Sequence, residues 1–248
     1  MGHDKAVAGM FSRIARFYDL LNHALSLGLD IRWRSALAET ALEKASTEGR
    51  GTTALDLAAG TLDVSLALRR RHPDALVLAL DFCPAMLERG RRKLTREEFR
   101  ILSVAADAKA LPVGDSVADC VAMAFGIRNI LPREAAYAEM LRVLKPGGRA
   151  CILEFGSGRE RVWGGIYNFY LNAVLPRIGR LVSRDATAYD YLARTVREFP
   201  TASRLEAELC RAGFIRVWHK KLTSGIVCLH VAEKARSGEK AFAVAQER

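Results

Sequence analysis

The sequence predicts an α/β protein built on a doubly wound, mostly parallel sheet. Short apolar runs recur at Ala54–Ala58, Ala75–Leu80, Ile101–Ala105, Ala118–Phe125 and Arg149–Phe155. The segments between them, Val64–Arg71, Pro84–Leu94 and Arg133–Leu144, have helical spacing. Near-continuous apolar strands separated by helices imply a parallel sheet covered on both faces. A chain of 248 residues can bury such a core as one large domain or two small ones.

Each element carries its own signal. Pro84 stands at a helix start, where its missing N–H costs nothing. "LKPGGR" (144–149) reads as a helix stop, with Lys145 in the last turn and Pro146 and two glycines beyond. Leu205–Ala212 reads as a helix. Phe214–His219 and Ile226–Ala232 read as strands joined through Lys220–Gly225, a connection short enough for antiparallel pairing.

Two parts lie outside this alternation. Residues 1–50 form a helical cap with Phe11, Ile14, Phe17 and Tyr18 on one apolar stripe. In the segment 157–204, Trp163, Ile166, Tyr167, Tyr170, Leu171 and Val174 repeat at helical spacing until Pro176. The organisation expected is therefore a cap (1–50), an α/β domain (51–234) with a helical insert at about 157–204, and a polar tail (235–248).

Lys and Arg number 38 against 28 Asp and Glu, a net charge of +10. Much of the excess is arginine at expected helix ends, Arg69–Arg71 and Arg89–Lys93, where cations complement the helix dipole. No nucleic-acid motif and no single-strand binding platform is visible, so no nucleic-acid partner is expected. An anionic membrane surface suits the charge better. No apolar run is long enough for a transmembrane span, and the start lacks a signal core, so the chain reads as cytoplasmic. The five cysteines never form a CxxC pair and read as buried thiols. The dispersed histidines suggest no metal cluster, and no metal is expected.

In open parallel sheets ligands sit beyond the carboxyl ends of the strands. "ALDLAAGTLD" (54–63) is the first strand running into such a turn. Asp81 closes the second strand about 20 residues after Gly60, where an acid accepts hydrogen bonds from ribose hydroxyls. A dinucleotide pyrophosphate would need further glycines and a helix N-terminus free of anions. Here Leu62 is expected to block its approach, Asp63 to cap the helix, and Asp56 to add a further anion. At about 4 Å and an effective dielectric of about 20, each anion–anion contact would cost about 4 kcal/mol. S-adenosyl-L-methionine carries an ammonium and a sulfonium and no phosphate, so the same acids favour it. Asp107 in "AADAKALP" (105–112) is placed to accept from the adenine amino group, with the Ala108 N–H facing the ring.

These residues carry a resemblance. "ALDLAAGTLD", "LDFCPAMLERGRRKL", "ADAKALP", "FGIRN" and "VLKPGGR" resemble the class I S-adenosylmethionine-dependent methyltransferases. More narrowly, "FGIRN" (125–129), "LPRIGRLVSRDATAYDYLARTVREFP" (175–200) and "FSRIARFYDLLNHALSLGLDIRWR" (11–34) resemble the ubiquinone/menaquinone biosynthesis C-methyltransferases. The demethylmenaquinone members of that family methylate the naphthoquinol ring. The resemblance spans roughly residues 7 to 234. It implies a Rossmann-like, seven-stranded sheet with N-terminal helices and a helical lid insert. It also implies C-methylation of a prenylated quinol, with a benzoquinol acceptor as the alternative. A degenerate methyltransferase-fold subunit of a quinone-synthesis assembly is the rival from another class. Ala59 and Leu62 replace glycines usual in the family loop, and Ala124 replaces a frequent serine, which predicts weakened or differently packed cofactor binding.

The resemblance places Asp56, Gly60, Thr61, Asp81, Phe82, Asp107, Ala108 and Ala124 at the cofactor. It gives Arg128 the stabilisation of a developing phenolate, Asn129 a bond to a ring oxygen, and Tyr18 a place over the cofactor. On the residues alone, Arg128 could equally form a salt bridge, Asn129 cap a turn and Tyr18 belong to the core. Tyr189 and Tyr191 are expected to face the quinol. Glu154, near the end of the fifth strand, is expected to support the site from behind. A prenylated acceptor would place the protein on the inner face of the membrane as a peripheral protein, with the insert as its lid. A homodimer is left open.

Overall fold

The computed structural model describes residues 2–16, 18–43, 51–156, 191 and 194–239. Helices α1 (Gly2–Ile14), α2 (Tyr18–Leu25) and α3 (Leu29–Leu42) precede strand β1 (Thr53–Leu57). Then follow α4 (Asp63–Arg71), β2 (Leu76–Asp81), α5 (Pro84–Arg91), β3 (Ile101–Ala105), β4 (Ala118–Ala124), α6 (Arg133–Val143) and β5 (Leu144–Phe155). The last described elements are α7 (Ala202–Arg211), β6 (Ile215–Leu222) and β7 (Val227–Glu233).

The seven strands form one sheet in the order β3-β2-β1-β4-β5-β7-β6. Strands β1 to β5 pair in parallel, whereas β7 runs antiparallel to both β5 and β6. The expected parallel core and antiparallel final pair are both present. The strand order reverses between β1 and β4, so the crevice for a ligand opens over these two strands.

Each face of the sheet has its own core. On one side Trp33, Leu37 and Leu42 of α3 and Leu66 and Leu68 of α4 pack on Ala54, Val77, Cys120 and Cys151. On the other, Tyr137 and Met140 of α6 and Leu205 and Leu209 of α7 cover Leu55, Leu57, Val121 and Ile152. Full burial of each large apolar side chain contributes about 1.5–3 kcal/mol. Glu208 ties the two helices of the second face, accepting from Arg133 Nε and Nη2 at 3.0 and 2.9 Å and from Tyr137 Oη at 3.1 Å.

"LKPGGR" differs from its expected form. The helix stops at Val143, but the motif itself is the first half of β5, and Lys145 lies in the strand. Leu144 already pairs with Ala118, and the register shifts before Cys120 pairs with Arg149. Two features keep the segment in the sheet. Lys145 Nζ reaches both Asp119 oxygens at 2.8 Å. Gly148 lies so close to its neighbours that a Cβ would stand 2.9 Å from the Lys145 carbonyl oxygen and 3.0 Å from that of Asp119. The helical stripe of the insert, and Phe17 and Tyr189, lie outside the described residues.

Candidate active site

The turns after β1, β2, β3 and β4 converge on one cavity that is partly open to solvent. Its wall includes Gly60, Asp81, Phe82, Asp107, Ala108, Ala124, Asn129 and Tyr18, eight residues expected at the site. Helix α1 supplies a wall that the sequence did not assign, through Asp4, Val7, Ala8 and Phe11. Phe11 was visible only as part of an apolar stripe; nothing local marked Asp4. Its partner is Lys109, whose Nζ lies 2.9 Å from Asp4 Oδ2, so the helix is fastened to the turn after β3.

Asp81 organises the first two turns. Its Oδ2 accepts from the Gly60 N–H and its Oδ1 from the Cys83 N–H, both at 2.7 Å. Burial pushes its carboxyl up from the usual carboxylate range, and the two backbone donors oppose that shift. Each oxygen keeps accepting capacity on the cavity side, where the vicinal hydroxyls of a ribose would fit. Gly60 adopts φ 54°, in the left-handed region that suits glycine. Phe82, 43% exposed, borders the cavity beside it. Asp107 Oδ1 accepts from the Lys109 N–H at 2.9 Å, which holds the carboxylate at the rim. Acids on two turns, Asp81 and Asp107, and Asp4 on α1 suit a cationic ligand, so these residues fit S-adenosyl-L-methionine.

Several expectations about the first turn need correction. Leu62 does not obstruct the cavity: its side chain is fully buried and packs against Gly90, where a Cβ would stand 2.5 Å from Leu62 Cγ. Leu62 instead adopts the left-handed conformation, φ 68°, that a glycine would take without strain. Asp63 is the first residue of α4, not its cap, and pairs with Lys93 Nζ at 2.5 Å. Asp56 does not border the cavity. It is fully buried and accepts from Ser65 Oγ at 2.6 Å. Burial pushes its carboxyl up to about 7, opposed by the Ser65 bonds and reinforced by Asp81 and Asp63. Thr61 also turns from the cavity, donating to Asp19 Oδ1 of α2.

The turn after β4 holds the other half. Phe125 takes φ 58°, and Gly126 follows so close to the first turn that a Cβ would stand 2.5 Å from Ala58 Cβ. A short 3-10 turn, Ile127–Asn129, then brings Asn129 to the cavity wall. Tyr191 Oη donates to Asn129 Oδ1 at 3.1 Å, so these two candidates meet although Tyr191 is not part of the wall. Burial pushes the Tyr191 hydroxyl up. Arg128 does not line the cavity. Its Nη1 lies 2.7 Å from Glu154 Oε1, the salt-bridge alternative, and its guanidinium lies over the Phe155 ring at 5.4 Å. Tyr18 stands against Phe11 edge-to-face, ring centroids 6.0 Å apart, and burial pushes its hydroxyl up.

A doubly wound sheet with a reversed last strand and a cofactor cavity walled by strand-end acids defines a class I S-adenosylmethionine-dependent methyltransferase. Residues 1–234 match the model of the ubiE/COQ5 methyltransferase family, and the chain belongs to that family. It is similar to a demethylmenaquinone methyltransferase of Thermus thermophilus, 43% identical over 91% of this chain and 100% of the relative. It is also similar to a ubiquinone/menaquinone biosynthesis C-methyltransferase of Syntrophotalea carbinolica, 41% identical over 93% of this chain and 94% of the relative. Among solved structures, Haemonchus contortus phosphoethanolamine N-methyltransferase 2 with S-adenosyl-L-methionine superposes with a TM-score of 0.60 at 14% identity. That match covers 81% of this chain and 53% of the other, and speaks to the fold alone.

Proposed function

We propose that this protein methylates a ring carbon of demethylmenaquinol, with S-adenosyl-L-methionine as donor. The carrying observation is a single cavity in which Gly60, Asp81 and Asp107 form one wall and Asn129, hydrogen-bonded to Tyr191, forms another. When bound, the donor supplies an electrophilic methyl group on a sulfonium. Asp81 takes the ribose hydroxyls and Asp107 the adenine amino group, each through carboxylate oxygens already oriented by backbone N–H groups. Ala124 and Phe125 border the reacting end, and Asn129 binds a ring oxygen of the acceptor. Holding the ring carbon about 3–3.5 Å from the methyl, opposite sulfur, is the main catalytic demand. A quinol is electron-rich, and loss of a hydroxyl proton makes the adjacent carbon more nucleophilic. The half-buried Asn129 amide at the oxygen stabilises that charge. The ring proton then leaves to water or a weak base. Arg128 acts from behind the wall and not on the phenolate directly.

The name of the Thermus relative supports the naphthoquinol; the double name of the Syntrophotalea relative keeps a benzoquinol as second reading. A prenylated acceptor requires access to a membrane surface. No helix among the described residues is long and apolar enough to cross one. Peripheral attachment is supported by exposed Leu20, Leu27 and Ile31 on the cap, near exposed Arg16 and Arg32.

The test is mass spectrometry after incubation with methyl-labelled S-adenosylmethionine and reduced short-chain quinols. Label on the naphthoquinol ring is the expected result. Label on the benzoquinol alone would move the acceptor. Tight cofactor binding without label on either would overturn the acceptor assignment.

A further inference from the structure

The turn Ile127–Asn129 is fastened by a charge that never meets the cavity. Glu154, near the end of β5, is fully buried. Its Oε1 accepts from Arg128 Nη1 at 2.7 Å and from the Phe155 N–H at 2.9 Å, while Oε2 accepts a longer bond, 3.4 Å, from the Arg128 N–H. One carboxylate therefore holds both the side chain and the main chain of the residue before Asn129. Arg128 Nη1 extends the clasp to the Phe125 carbonyl at 2.6 Å, the residue with left-handed φ. Such backbone persists only where its surroundings over-determine it.

Stability alone does not account for this arrangement. Apolar residues of similar volume often replace a buried ion pair at no cost in stability. Here the pair also leaves Arg128 Nε buried with no hydrogen-bond partner among the described residues. What the pair achieves is placement: it anchors the turn on the sheet side, and Tyr191 meets Asn129 from the other end.

We infer that Glu154 is a positioning residue for the acceptor half of the site, acting through Arg128 on the turn that carries Asn129. The inference rests on the reading of Asn129 as a contact to the acceptor ring. A misplacement of about 1 Å in such a contact costs on the order of 100-fold in rate.

The test is a double-variant cycle on the full chain with a reduced short-chain naphthoquinol, kcat being taken per folded protein. Glu154→Gln is expected to lower kcat about 10- to 100-fold. Cofactor Kd, measured by calorimetry, stays within about twofold because the acids at Asp81 and Asp107 are untouched. In an Asn129→Ala background the same substitution changes kcat by less than about twofold, since its effect runs through that side chain. Multiplicative losses in the double variant would overturn the inference, as would an unchanged kcat for Glu154→Gln. Should that variant fail to fold, Glu154→Asp keeps the charge, withdraws the carboxylate by one methylene, and carries the same comparison. No methyl transfer by the unaltered protein to any quinol would instead overturn the acceptor reading, and this inference with it.

Discussion

The two halves proposed for the cavity, donor and acceptor, are held by different means. On the donor side, Asp81 and Asp107 are fixed by backbone N–H groups of their own or neighbouring turns. On the acceptor side, Asn129 depends on side chains brought from afar: Tyr191, 62 residues on, and the Arg128–Glu154 pair, 26 residues apart. A donor site made from main chain and strand-end acids persists as long as the sheet does. An acceptor site made from side-chain pairs can be retuned by single substitutions. That division suits a family in which one donor serves more than one ring.

The sharpest way to break this contrast is Asp81→Ala. Two charge-assisted bonds of about 1.5–3 kcal/mol each would be lost, so cofactor affinity is expected to fall about 1,000-fold by calorimetry. Because burial raises the Asp81 pKa, affinity in the parent should also weaken on acidification earlier than an ordinary carboxylate would dictate. A loss below about tenfold would remove Asp81 from the donor half.

In the sheet, Asp56 of β1 and His230 of β7 oppose one another in pH. The Asp56 pKa rises from 3.8 to about 7 on folding, so its stability contribution is full below 3.8 and is lost as pH rises through 7. The His230 pKa falls from 6.5 to about 4, chiefly through burial, so its contribution is full above 6.5 and is lost as pH falls through 4. Asp56→Asn keeps an acceptor for Ser65 and removes the first effect. Its stability should then climb between these limits by up to about 3 kcal/mol more steeply than the parent's. Thermal melts across that range check it, and parallel profiles would refute the Asp56 assignment.

On the acceptor side, Asn129→Ala should reduce kcat about 100-fold while cofactor Kd stays within about twofold. A matching loss of cofactor affinity would erase the distinction between the halves. The smallest effect belongs to Tyr191→Phe, which removes one neutral hydrogen bond worth about 0.5–1.5 kcal/mol, or about fivefold in kcat. A loss near that of Asn129→Ala would mean that Tyr191 touches the ring itself.

The same division explains what the sequence disclosed. Strands β1 to β4 and the acids at their ends were legible because apolar runs and strand-end aspartates are local signals. Gly60, Asp81 and Asp107 were placed from spacing and the chemistry of their turns. Asp56 misled because a carboxylate in an apolar strand reads the same whether it faces a ligand or a buried serine. Arg128 and Asn129 are adjacent, yet the fold sends one inward to Glu154 and the other to the cavity; only the path of β5 decides which. The wall from α1 rests on Asp4 and Lys109, 105 residues apart, and no local pattern announces such a pair. "LKPGGR" carried a true helix stop, but the strand that begins there depends on Asp119 of a neighbouring strand.

Leu62 and Gly90 have a consequence for which substitutions the turn can take. A Cβ at position 90 would meet not only Leu62 but also the Thr61 main chain, at 2.8 and 2.9 Å. Position 62 can therefore accept glycine sterically, exchanging the packing of a fully buried leucine for an unstrained turn, whereas position 90 stays closed whichever residue stands opposite. Tolerance here is asymmetric: a change at position 62 is met in packing alone, and any side chain at position 90 must push aside the main chain of the turn.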